Sequence, residues 1–196
     1  MFPDRRTLLQ AMALPGLALT VAVSFATPGI AGALNDLFGD APIVQAVRKG
    51  SVDDTNAALL DGASANARAS DGTPVLVVAV SIPFPEIVNV LIEAGARPDE
   101  KSKDETTALT LAAANGNADI VTYLLEHKAD VDETGFLRET ALIKAARARH
   151  NAIIKILMAH GADLAETDST GATAMEIAQR AGWSDTVDLL RKPKSK

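Results

Sequence analysis

Three histidines and 25 carboxylates are the residues in this chain that could do chemistry. A histidine can act as a base near neutral pH or bind a metal through its neutral ring. Paired carboxylates can share acid and base roles. The chain has no cysteine, which excludes a thiol nucleophile, a Cys-ligated metal, a disulfide scaffold and a lipid-modified cysteine. His127 and His160 hold equivalent places in a repeating pattern described below, with His150 between them. There is no glycine-rich phosphate loop, no His-Glu-x-x-His and no Gly-x-Ser-x-Gly. The acids are spread at regular spacing, and nothing converges on a catalytic group. The expectation is a chain that is not an enzyme and needs no cofactor or metal, with a metal-dependent hydrolase as the rival class.

Composition sets the kind of core. The 196 residues are 47% hydrophobic and 22% charged, which describes a globular chain. A net charge of −6 argues against nucleic acid or an anionic membrane as the main partner. Aromatics make up only 4%, so Ala, Leu, Ile and Val must build the interior. Small side chains suit closely packed short helices.

Those helices repeat. Ala46, Ala79, Ala112, Ala145 and Ala178 are evenly spaced. Ile43, Leu76, Leu109, Leu142 and Met175 form a second column at the same spacing. Ala63, Ala96, Ala129 and Ala162 form a third, and Gly62, Gly95 and Gly161 a fourth, interrupted by Lys128. Thr107, Thr140 and Thr173 mark a fifth. A fixed period of about 33 residues signals stacked supersecondary units. Within one unit, Leu109, Ala112 and Ala113 follow helical spacing, Asn115-Gly116 breaks it, and Ile120, Val121, Leu124 and Leu125 resume it. Each unit is therefore two short antiparallel helices, followed by a polar stretch such as Asp99–Glu105 that projects as a hairpin.

Asp71-Gly72-Thr73-Pro74, Thr107-Ala108-Leu109-Thr110-Leu111-Ala112-Ala113, Ile120-Val121-Thr122-Tyr123-Leu124-Leu125 and Gly161-Ala162-Asp163-Leu164 together resemble the ankyrin repeat family. The resemblance covers nearly all of Asp40–Leu190. It implies an all-α solenoid of five helix-turn-helix units with connecting β-hairpin loops. The units are Asp40–Arg68, Ala69–Lys101, Ser102–Thr134, Gly135–Thr167 and Asp168–Lys196, with 34–39 leading in and 191–196 as a basic tail. Thr73-Pro74 reads as one residue early against Thr107-Ala108, which suggests a residue lost in that hairpin and regained downstream. Arg149 replaces the usual turn glycine of the fourth unit, so that turn is either strained or built differently. Adjacent units of such an array stack roughly 10 Å apart. His127 and His160 would thus fall too far apart for metal–nitrogen bonds of about 2.0–2.1 Å.

The segment from Met1 to Ala33 is a separate object. No charged residue occurs from Thr7 to Asn35, and Arg5-Arg6 precede that run. Ala31-Gly32-Ala33 then supplies small residues for a peptidase. The pattern is that of a cleaved signal peptide, with the cut between Ala33 and Leu34. Arg5-Arg6-Thr7-Leu8-Leu9 resembles a twin-arginine export signal; the general secretory route is the alternative. The expected location is the bacterial periplasm, with no stable membrane insertion after cleavage. An uncleaved anchor is the other reading of the run.

The resemblance also implies a protein partner, bound by hairpin tips and the exposed side of the first helices. The chain is expected to be a monomeric, non-catalytic adaptor, or alternatively a chaperone that protects one periplasmic enzyme. Position by position, Arg48, Ser81, Ala114, Arg147 and Arg180 line the concave side. Val44, Val77, Thr110, Ile143 and Glu176 lie one helical turn earlier. Lys103 and Asp104 sit at one tip. Phe136-Leu137 is an apolar pair at a tip that should be polar, and reads either as an anchor or as local packing. Ile82 and Phe84 are similar, in an inter-helix turn that reads as holding an inserted residue.

Overall fold

The computed structural model describes residues 39–191. The expected leader, its cleavage site at Ala33 and Leu34, and the tail beyond Arg191 lie outside them. The described residues form ten α-helices in five pairs: α1 Pro42–Lys49, α2 Val52–Leu60, α3 Val75–Val80, α4 Pro85–Glu93, α5 Ala108–Asn115, α6 Ala118–Glu126, α7 Ala141–Arg147, α8 Asn151–Ala159, α9 Ala174–Arg180 and α10 Ser184–Arg191. A single 3₁₀ turn, Phe136–Arg138, precedes α7. First helices pack in the order α1, α3, α5, α7, α9, and second helices in the order α2, α4, α6, α8, α10. Among the described residues no helix is long and apolar enough to cross a membrane.

The starts of the first helices explain the period. Their N-caps are Ala41, Pro74, Thr107, Thr140 and Thr173, evenly spaced along the chain. The three threonines accept from the backbone N–H of Thr110, Ile143 and Glu176, which satisfies donors that a helix start leaves open. Pro74 keeps the same register. No residue is lost from the second hairpin: Thr73 is its last loop residue, and Pro74 stands where the last three units carry threonine. The turn at 81–84 is likewise unlengthened, since Ser51, Phe84, Asn117, His150 and Trp183 keep the same even spacing. Its peculiarity is Pro83, which occupies the place that Gly50, Gly116 and Gly182 fill with positive φ. Proline cannot adopt that angle, so α3 stops after six residues and the turn is rebuilt. Arg149 does adopt it, at φ 56°.

The core runs continuously through the stack. Ala79, Ala112, Ala145 and Ala178 are fully enclosed where first helices meet, and Leu91, Leu124 and Leu157 are enclosed between second helices. A methyl group at the first position lets neighbouring backbones approach. The hairpins contribute less than a sheet would. Arg68 with Pro74, and Thr167 with Thr173, form isolated antiparallel bridges, and no strand is formed among the described residues.

Polar ladders cross each junction beside the core. Asn66 Oδ1 accepts from Arg97 N–H at 2.8 Å, Asp99 Oδ1 from Asp130 N–H at 3.0 Å, and Asp132 Oδ1 from Asp163 N–H at 2.9 Å. These are one bond repeated from unit to unit, and it fixes the spacing of successive loops.

Candidate binding surface

The face of the first helices is built from one exposed column. Arg48, Ser81, Arg147 and Arg180 are exposed there, and Ala114 is half-buried. Ala114 also lends its carbonyl oxygen to His150 Nε2 at 3.2 Å, and the His150 ring lies over Gly116. The column one turn earlier does not reach the surface. Val44, Val77, Thr110 and Ile143 are buried, with Ile143 at 1% exposure. Ile143 is therefore removed from the binding candidates. It sits in the first turn of α7, flanked by α5 on one side and α9 on the other, and both neighbours close over it. Glu176 escapes burial because no first helix follows α9 in the described stack.

Arg147 is held by buried acids. Its Nε pairs with Glu139 Oε1, and its Nη2 donates to Asp168 Oδ2 at 2.5 Å. Lys144 Nζ meets Glu139 Oε2 at 2.5 Å. Glu139 and Asp168 are both buried. The Thr170 hydroxyl, 2.6 Å from Asp168 Oδ1, and the Ala172 N–H hold the Asp168 carboxyl down at about 2, with Arg147 adding to the effect. It is thus fully charged near neutrality and is no proton donor there. Sequence reasoning misses these two carboxylates; Asp168 is one of many hairpin acids, and nothing local marks it as enclosed.

The loop tips differ from one another. Lys103 and Asp104 are exposed, but the Lys103 stem lies across Gly72 and Asp104 accepts from the Ser102 hydroxyl at 2.6 Å. Phe136 and Leu137 are 51% and 50% exposed. Leu137 has φ 59° and ψ 27°, and Arg138 has φ 58°. Left-handed backbone costs an ordinary residue about 1–2 kcal/mol. The tip is fixed nonetheless: Leu137 carbonyl oxygen accepts from Ser169 N–H at 2.8 Å, and Gly135 N–H donates to Glu139. Both apolar side chains therefore keep about half of their surface in solvent at a fixed tip.

Ile82 and Phe84 are placed otherwise. Ile82 is half-buried against the core. The Phe84 ring covers Gly50 of the preceding unit so closely that a Cβ there would overlap it. Phe84 thus packs between units while keeping one edge in solvent. His127 and His160 cap the ends of α6 and α8, and His127 Nδ1 donates to the Tyr123 carbonyl oxygen at 2.8 Å. Among the described residues no group of three or more His, Asp or Glu is placed to hold a metal.

One groove lies outside the sequence expectations. Arg147, Thr170, Ile177, Arg180, Ala181 and Trp183 line an open space of about 660 Å³ beside α9. Trp183 is the single tryptophan of the chain, which is its only signal in sequence. Leu60 stands exposed at the end of α2 beside Leu59 and Val90.

The family model for ankyrin repeats matches three overlapping stretches, residues 43–135, 76–168 and 131–196. The chain belongs to the ankyrin repeat family. No curated protein matches it. Ankyrin repeats make this chain a protein–protein interaction module.

Proposed function

We propose that this ankyrin chain is a non-catalytic adaptor of the bacterial periplasm, binding a protein partner through its loop tips and first-helix face. The observation that carries the reading is Phe136-Leu137: two half-exposed apolar side chains at one tip, with the backbone of Leu137 itself left-handed. Strain and exposed apolar area each cost stability, and binding sites are where both are kept. Absence of catalysis rests on the use of the buried acids. Glu139 and Asp168 are committed to Arg147 and Lys144, and Asp168 stays ionised. Export rests on Arg5-Arg6, the apolar run and Ala31-Gly32-Ala33.

The test is crosslinked capture from a periplasmic fraction, read by mass spectrometry, together with N-terminal sequencing of the recovered chain. The chain should begin at or near Leu34 and carry a crosslinked protein through its third to fifth units. Full-length chain recovered only from cytosol would overturn the location. Crosslinks confined to the α2–α4 side, or none at all, would overturn the assigned surface.

A further inference from the structure

Arg48, Arg147 and Arg180 share one position of the repeat, yet only two are paired. Eight residues before Arg48 is Asp40, 2.8 Å from its Nε. Eight residues before Arg147 is Glu139, in contact with its Nε. The same step back from Arg180 falls on Ala172. A second acid comes from the next hairpin in each earlier case: Asp71 lies 3.7 Å from Arg48, and Asp168 lies 2.5 Å from Arg147. The acids after Arg180 are engaged elsewhere, Asp185 with Arg149 and Asp188 with Arg191. Among the described residues the Arg180 side chain has no ion-pair partner. Glu176, one turn earlier, is drawn to the helix start, where it accepts from Thr173 N–H at 2.9 Å.

Arg180 also stands in the 660 Å³ groove, beside the apolar floor of Ile177 and Trp183. Lys144 and Arg147 are matched by Glu139 and Asp168, which leaves Arg180 as the cation at this groove without an ion-pair partner. Arg147 is positioned in advance by its buried acids, which lowers the ordering cost of any ligand it meets. A free guanidinium offers a fork that matches a carboxylate in two parallel bonds.

We infer that this groove takes an acidic, extended segment of the partner protein. A carboxylate side chain of that segment fills the place that Asp40 and Glu139 hold for the earlier arginines. An apolar neighbour of that carboxylate covers Ile177 and Trp183. The inference rests on the adaptor reading and names the chemistry of its partner.

Because Trp183 is the only tryptophan, its emission reports on the groove alone. The full chain is titrated with a peptide of alternating Glu and Leu, acetylated and amidated at its ends. The matched Gln-Leu peptide is the control, in amidated and free-acid forms. The Glu peptide should shift Trp183 emission, and both the Gln substitution and Arg180→Ala should weaken binding about tenfold or more, the worth of a charge-assisted bond. Arg180→Ala should leave helical circular dichroism and Tm unchanged, since the side chain forms no ion pair in the stack. Equal binding of the Glu and amidated Gln peptides, or of wild type and Arg180→Ala, would overturn the inference. Binding of the free-acid Gln peptide alone would overturn it in favour of a chain end. An emission shift that depends on protein concentration without peptide would overturn it in favour of a second copy. If wild type and Arg180→Ala crosslink the periplasmic partner equally, the groove inference falls alone; if neither crosslinks one, the adaptor reading falls.

Discussion

At the scale of single residues, Leu137 joins an unfavourable backbone to the proposed binding role. Its φ of 59° is unfavourable for a branched side chain, and its side chain is half in solvent. Glycine at this position removes the strain and the apolar area together. Leu137→Gly should therefore hold or raise stability by up to about 1 kcal/mol in a urea melt while weakening partner binding. A loss of stability would mean that the side chain packs after all. Arg147 behaves in the opposite way. Arg147→Ala strips a partner from Glu139 and Asp168 and should cost about 1–3 kcal/mol. Asp168 also sets an acid limit. Its folded pKa, about 2, lies below the ordinary value, so the folded state binds fewer protons than the unfolded one. Its contribution is complete above about pH 4 and is lost as pH falls toward 2. Melts of wild type and Asp168→Asn across that window should converge as the pH drops.

At the scale of elements, the junction between the second and third units carries an avoidable charge. Burial raises the Asp99 carboxyl above its ordinary value, and the nearby Asp130 and Glu133 charges push the same way. Its counterpart one unit earlier is Asn66, whose amide also donates to the Gly95 carbonyl oxygen at 3.1 Å. Asp99→Asn keeps the bond from Asp130 N–H and removes the repulsion. It should raise stability at pH 7 by about 0.5–1 kcal/mol, the size of one neutral hydrogen bond. The gain should shrink at acid pH, where Asp99 itself becomes neutral. First-helix contacts give a second check. Ala112→Leu should overpack the enclosed column and cost about 1–3 kcal/mol, whereas Ala114→Leu, half in solvent, should cost much less.

These elements also show what can be read without coordinates. Helix pairs are legible because alanine and leucine columns recur at one period, and periodicity survives local variation. The Thr73-Pro74 dipeptide misleads when it is weighed above the column it sits in; the N-caps at Pro74, Thr107, Thr140 and Thr173 show an unbroken period. Spacing puts Ile143 on the surface because it gives a direction but not the reach of neighbouring helices. The Glu139–Arg147–Asp168 cluster joins two hairpins and a helix, and no short sequence window contains it.

At the scale of the whole molecule, stacked units give a surface whose positions repeat while their residues do not. Most of that surface is closed upon itself: Arg48 by Asp40, Arg147 by Glu139, Phe84 over Gly50, Lys103 over Gly72. Phe136, Leu137 and Arg180 break the pattern, and they belong to the last two units. Recognition is accordingly expected to concentrate there, on a few anchors and not across the stack. The measurement that tests this most directly is a paired one, of Tm and of affinity for the captured partner, in Phe136→Ala and Leu137→Ala. The account predicts an affinity loss of about 2 kcal/mol or more with Tm nearly unchanged, because a tip side chain lies outside the core. Unchanged affinity in both variants, or a large fall in Tm at Phe136, would contradict it.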